Sequence, residues 1–151
     1  MPAFSLSRET TIQASPDQVH ALINDFRNWA QWSPWEARDP ELKRTFSGAE
    51  SGLGAKYAWE GNKQVGSGTM EITSSQPDRI EIELCFLVPF KATNQTTFEL
   101  TPAGEGTRVV WSMAGQRNVL MASMGKLFFD KAIAKDYDQG LAKLAAAAET
   151  A

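Results

Sequence analysis

The sequence is short of the residues on which most site chemistry depends. It has one histidine, His20, and one cysteine, Cys85, in 151 residues. A single thiol closes no internal disulfide, and neither residue has a partner of its kind at ligand spacing, so no metal site and no metal cofactor are expected. Basic runs are missing too. The chain carries 15 Lys and Arg against 18 Asp and Glu, a net charge of -3, and its basic residues are scattered singly or in pairs such as Lys43-Arg44. A nucleic acid or an anionic membrane needs a concentrated basic footprint, so no nucleic-acid partner is expected. No apolar run approaches the roughly 20 residues of a spanning helix, which argues against stable membrane insertion. Met1 to Glu9 hold no apolar stretch of signal-peptide length. With the lone cysteine, this gives a reducing cytoplasm as the expected location.

What is present is ordinary globular material with an aromatic excess. Hydrophobic residues make up 42% and charged residues 22%, which excludes a disordered chain and leaves enough to bury a core. One domain over 1–151, as a monomer or homodimer, is the expectation. Of five tryptophans, Trp29, Trp32, Trp35 and Trp59 fall in one third of the chain. Large rings fill cores and also line cavities, and both readings stay open here.

Residues 4–14 read as a strand. Ser15-Pro16-Asp17-Gln18 is a helix start, with Ser15 as cap, Pro16 in the first turn and Gln18 reaching back. Val19, Leu22, Ile23 and Phe26 then recur at helical spacing, and a second short helical turn ends at Ser33-Pro34. From about 41 to 115 the period changes to two, with candidate strands at 42–48, 54–60, 65–74, 79–88, 92–101 and 106–115. Ile80, Ile82, Leu84 and Phe86 alternate with Arg79, Glu81 and Glu83, so one face is dry and one wet. After 118 the spacing predicts one helix of roughly 30 residues, about 45 Å at the standard rise. Its apolar stripe must lie across the dry face. The predicted fold is α+β: a seven-stranded curved antiparallel sheet wrapped round a long C-terminal helix, with two short helices after the first strand.

These segments, in this order, resemble a known family. The carriers are Ile12-Gln-Ala-Ser-Pro-Asp-Gln-Val19, Trp29-Ala-Gln-Trp32-Ser-Pro-Trp35, Gly54-Ala-Lys-Tyr-Ala-Trp59-Glu-Gly61, Gly66-Ser-Gly68-Thr-Met70, Gly106-Thr107 with Val109-Val-Trp111, and Asp136-Tyr137 through Leu144. From about residue 4 to 149 the chain is similar to the START-like (Bet v 1-like, SRPBCC, helix-grip) superfamily, and within it to bacterial polyketide cyclase/dehydrase-like proteins. The resemblance implies a helix-grip fold with a ligand cavity. Relatives bind lipids, polyketides, hormones or quinones, and only some are enzymes, so the fold alone names no ligand.

No catalytic residue is nominated. His20 sits between buried positions of the first helix and is expected to be more than half exposed. Glu71, Glu81, Glu83 and Glu99 fall on the wet face, and Gly66-Ser-Gly68 reads as strand glycines rather than a phosphate loop. The candidate ligand-binding set is Trp32, Trp35, Tyr57, Trp59, Met70, Phe86, Asn94, Trp111, Met124 and Phe128, around a pocket of a few hundred Å3. For each of these, plain core packing is the competing reading. Trp32-Ser-Pro-Trp35 reads as a pocket mouth or as a plug of the core end, with Met121 and Met124 facing it. Small residues Ala55, Gly68 and Thr96 among the aromatics are expected to leave space. Asn94, polar on a dry face, is expected to bond Tyr57, a water or a ligand. The leading expectation is therefore binding, transport or sequestration of a hydrophobic or amphipathic small molecule. The alternatives are a polyketide cyclase/dehydratase-type enzyme in the same cavity, and a chaperone-activator-like interaction module.

Overall fold

The strand signal of the middle of the chain resolves into seven strands. The computed structural model describes residues 3–34, 41–62, 66–88, 91–116 and 126–150, with side chains in the last segment from Ala134 onward. The strands are β1 (Ala3–Ile12), β2 (Lys43–Gly48), β3 (Ala55–Glu60), β4 (Ser67–Gln76), β5 (Arg79–Val88), β6 (Ala92–Ala103) and β7 (Gly106–Gln116). They form one antiparallel sheet in the order β1-β7-β6-β5-β4-β3-β2. β2 to β7 are a meander, and β1 closes the far edge by pairing with β7, Leu6 opposite Met113. Helix α1 (Pro16–Asn24) and a 3-10 helix (Phe26–Gln31) follow β1, and helix α2 (Lys126–Glu149) ends the chain. This is the helix-grip architecture expected from the periodicity. The expected helix start near Asn118 lies outside the described residues.

Local chemistry fixes the short elements. The Gln18 amide donates to Ser15 Oγ at 3.2 Å, and the Ser15 amide donates to Gln18 Oε1 at 3.1 Å, so the cap is reciprocal. α1 ends at Asp25, whose carboxylate accepts the Arg27 amide at 3.0 Å and starts the 3-10 turn. At that end Ser75 Oγ donates to Asn24 Oδ1 at 2.6 Å, tying α1 to β4. The β4–β5 register shifts between Ile72 and Ser74, a bulge that helps the sheet bend.

The inner face holds the core. Ala55, Tyr57, Ile72, Ile80, Ile82, Leu84, Phe98, Leu100, Val109, Trp111 and Met113 are buried on it, the β5 members being those that period two assigned to the dry side. α2 offers Tyr137, Leu141, Leu144 and Ala148, one stripe at helical spacing, all buried. The Tyr137 ring stacks on Trp111 with centroids 3.9 Å apart. Gly140 makes the close approach work: a Cβ there would stand 2.7 Å from the Trp111 ring and 3.1 Å from Pro34.

Candidate functional site

The inner face divides into a filled half and a looser half. In the filled half, Trp29 Nε1 donates to the Ile23 carbonyl at 2.8 Å and Trp32 Nε1 to the Leu22 carbonyl at 2.9 Å. Both indoles are thereby satisfied without a ligand. Trp32 is 0% exposed, with its ring edge-on to Phe98 at 6.0 Å and to Trp111 at 5.6 Å. At Trp32 itself the packing is that of a plug of the core end. Trp111 is 1% exposed, stacked between Phe98 at 4.9 Å and Tyr137 at 3.9 Å. Two of the nominated residues are therefore packed on every side. Trp35, Met121 and Met124 lie outside the described residues, as does the side chain of Phe128.

In the looser half Tyr57 is buried while Trp59, Met70 and Phe86 are half-buried. Register brings them together: Tyr57 pairs with Met70, Trp59 with Gly68, and Gly68 in turn with Phe86. Trp59 stacks beside Tyr57 at 6.3 Å and meets Phe86 edge-on at 6.0 Å. Beyond Phe86, Leu87 and Val88 are exposed at the end of β5. The space expected over Gly68 is taken: a Cβ there would collide with the Trp59 ring and the Cys85 carbonyl oxygen. A large ring from the neighbouring strand lies over the glycine and covers the backbone it would otherwise expose.

Two polar side chains of β6 lie on the inner face. Asn94 and Thr96 are 5% and 3% exposed, and neither Asn94 Oδ1 nor Thr96 Oγ1 makes a hydrogen bond among the described residues. The expected Asn94–Tyr57 bond does not form. Asn94 lies instead between Leu84 of β5 and Gly115 of β7. Leaving a buried acceptor unmet costs on the order of 1–3 kcal/mol. Thr96 faces Tyr137 without a hydrogen bond of normal geometry. Burial pushes the Tyr137 phenol well above its ordinary 10.0, and the Thr96 hydroxyl offsets part of that.

Outside this region the chemistry is sparse. His20 is half-buried rather than mostly exposed, because its Nε2 donates to the Gln76 carbonyl at 3.0 Å across the α1–sheet junction. The acids sit on the outer face, where Arg79 bridges Glu99 at 2.9 Å and Glu81 at 3.3 Å, and Arg108 pairs with Glu9. A depression of about 270 Å3 also lies there, lined by Ser47, Lys56, Ala58, Thr69, Glu71 and Glu83 with Tyr57 and Met70. It is charged and wet, unlike the apolar pocket the sequence led us to expect. Among the described residues no group of three His, Cys, Asp or Glu could hold a metal ion, and no helix is long and apolar enough to cross a membrane.

A family model described as polyketide cyclase/dehydrase and lipid transport matches residues 3–149. No curated protein sequence matches the chain. Among solved structures, a protein from Chromobacterium violaceum is 16% identical, covering 96% of each chain at a TM-score of 0.70. Ara h 8.0201 is 9% identical over 99% of this chain and 100% of its own, at a TM-score of 0.71. The di-domain ARO/CYC StfQ from the steffimycin biosynthetic pathway is 12% identical at a TM-score of 0.71, the match covering 98% of this chain and 51% of StfQ. At these identities the likeness is one of fold.

Proposed function

The chain belongs to the polyketide cyclase/dehydrase and lipid transport family, and from that membership we propose that it binds a hydrophobic or amphipathic small molecule between the sheet and α2. One observation carries the reading. Asn94 Oδ1 is a buried acceptor without a protein partner, on the inner face across Leu84 from the half-buried Met70, with the half-buried Trp59 and Phe86 in the next row of the sheet. A few polar groups set into an apolar wall is the pattern of small-molecule sites. Binding precedes either transport or turnover, and the reading claims binding alone.

The test is a titration with the neutral fluorescent amine N-phenyl-1-naphthylamine, wild type against Asn94→Leu, with thermal melts of both. The expected result is saturable one-site binding to the wild type that weakens at least tenfold in the variant. The variant itself should melt at or slightly above the wild-type temperature, because it removes an unmet buried acceptor. Severe destabilisation of the variant, with no saturable dye binding to the parent, would mean that these residues are core and nothing more.

A further inference from the structure

We propose that the molecule bound here carries a neutral hydrogen-bond donor, a hydroxyl or N–H group on an apolar body, that docks on Asn94 Oδ1, and that Gly115 is the specificity-determining residue that holds this oxygen in place. The inference rests on the binding reading above and names the ligand class for the same surface.

The chemistry of the unmet atom comes first. A carboxamide oxygen only accepts, so the group it receives must donate. Ethers, esters and ketones cannot serve it. An ionised carboxylate is worse, since its oxygens would face another oxygen. Among the described residues, the inner-face strand neighbours of Asn94, namely Leu84, Thr96, Met113 and Gly115, carry no charge that would recover the desolvation of an anion. Thr96 stands two residues further along the strand, about 7 Å at the usual rise. Its hydroxyl is also buried, facing Tyr137, and it can donate or accept, so it tolerates a second oxygen on the ligand without demanding one.

Gly115 gives an independent observation. It lies directly opposite Asn94 in the β6–β7 pairing. A Cβ at this position would collide with Asn94 Oδ1 and stand 3.1 Å from Asn94 Cγ and 3.3 Å from the Thr93 carbonyl oxygen. The carboxamide therefore lies flat over the bare backbone of Gly115. Any larger residue must push it away and redirect the acceptor. Glycine within a strand interior otherwise weakens the strand, and close approach of another group is one of the few reasons to keep it there.

The experiment compares 2-naphthol with 2-methoxynaphthalene and 2-naphthoate at pH 7 by calorimetry. The three share one apolar body and differ in donor and charge. We expect naphthol to bind the wild type at least tenfold more tightly than either of the others. That advantage should shrink to within twofold in Asn94→Leu and in Gly115→Ala, each checked for folding by circular dichroism. Equal affinity of the naphthol and its methyl ether for the wild type would overturn the donor assignment and leave the binding reading standing. A naphthol advantage that survives in a folded Asn94→Leu would overturn the role of Asn94, and one that survives in a folded Gly115→Ala would overturn the role of Gly115. Should a variant fail to fold, the wild-type comparison alone decides the donor question. No saturable binding of any of the three would sink both the inference and the reading beneath it.

Discussion

Tyr137 shows how a single side chain ties packing to solution behaviour. Its ring lies flat on Trp111, 8° from parallel, and its hydroxyl is enclosed near Thr96. Burial disfavours the phenolate, so the folded pKa stands above the unfolded value near 10. Below that value both states keep the proton and the contribution is fully present. As pH rises past it the unfolded chain ionises first, and stability is lost. Urea midpoints taken from about pH 9 to about pH 11 should therefore fall more steeply for the wild type than for Tyr137→Phe; parallel declines would show that the hydroxyl is not enclosed. Not every residue was this legible in advance. Asn94 stood out in the sequence because alternation placed an amide on a dry face, a purely local signal. Trp32 did not declare its role, since a ring at a rim and a ring in a plug share the same spacing. Only its neighbours Phe98 and Trp111, far along the chain, distinguish the two.

At the scale of elements, β-strand periodicity made the sheet readable almost end for end, β5 at Arg79–Val88 without error. The Ser15–Gln18 cap was equally plain, because every participant lies within four residues. Register is where local reasoning stops. Gly68 was expected to leave room, yet the pairing of β3 with β4 sets Trp59 over it. Gly115 acquires its meaning only from the partner strand that carries Asn94. Helix α2 raises the same contest at Gly140. An interior helical glycine is normally about 1 kcal/mol worse than alanine, so propensity favours Gly140→Ala. Here the added methyl would stand 2.7 Å from the Trp111 ring, and overpacking costs roughly 1–3 kcal/mol. The crowding should win. Chemical denaturation is expected to find Gly140→Ala less stable than wild type by about 1 kcal/mol after the propensity gain, and a more stable variant would mean α2 sits further from the sheet.

For the whole molecule, the two halves of the inner face divide the labour. The half under α1, the 3-10 turn and the end of α2 is an aromatic block in which the Trp29 and Trp32 indoles donate to backbone carbonyls. The other half keeps Trp59, Met70 and Phe86 partly accessible, with the unmet Asn94 Oδ1 across Leu84 from Met70. On the proposed reading stability resides in the first and recognition in the second, so ligand and core should respond separately. The outer depression near Lys56, Glu71 and Glu83 takes no part in the account. Indole and methyl NMR reads this division directly. On titration with 2-naphthol, the Trp59 indole N–H and the Met70 methyl should shift progressively and saturate together, while the Trp29 and Trp32 indoles stay in place. Shifts confined to the outer face, or shifts of Trp29 and Trp32 equal to that of Trp59, would contradict it.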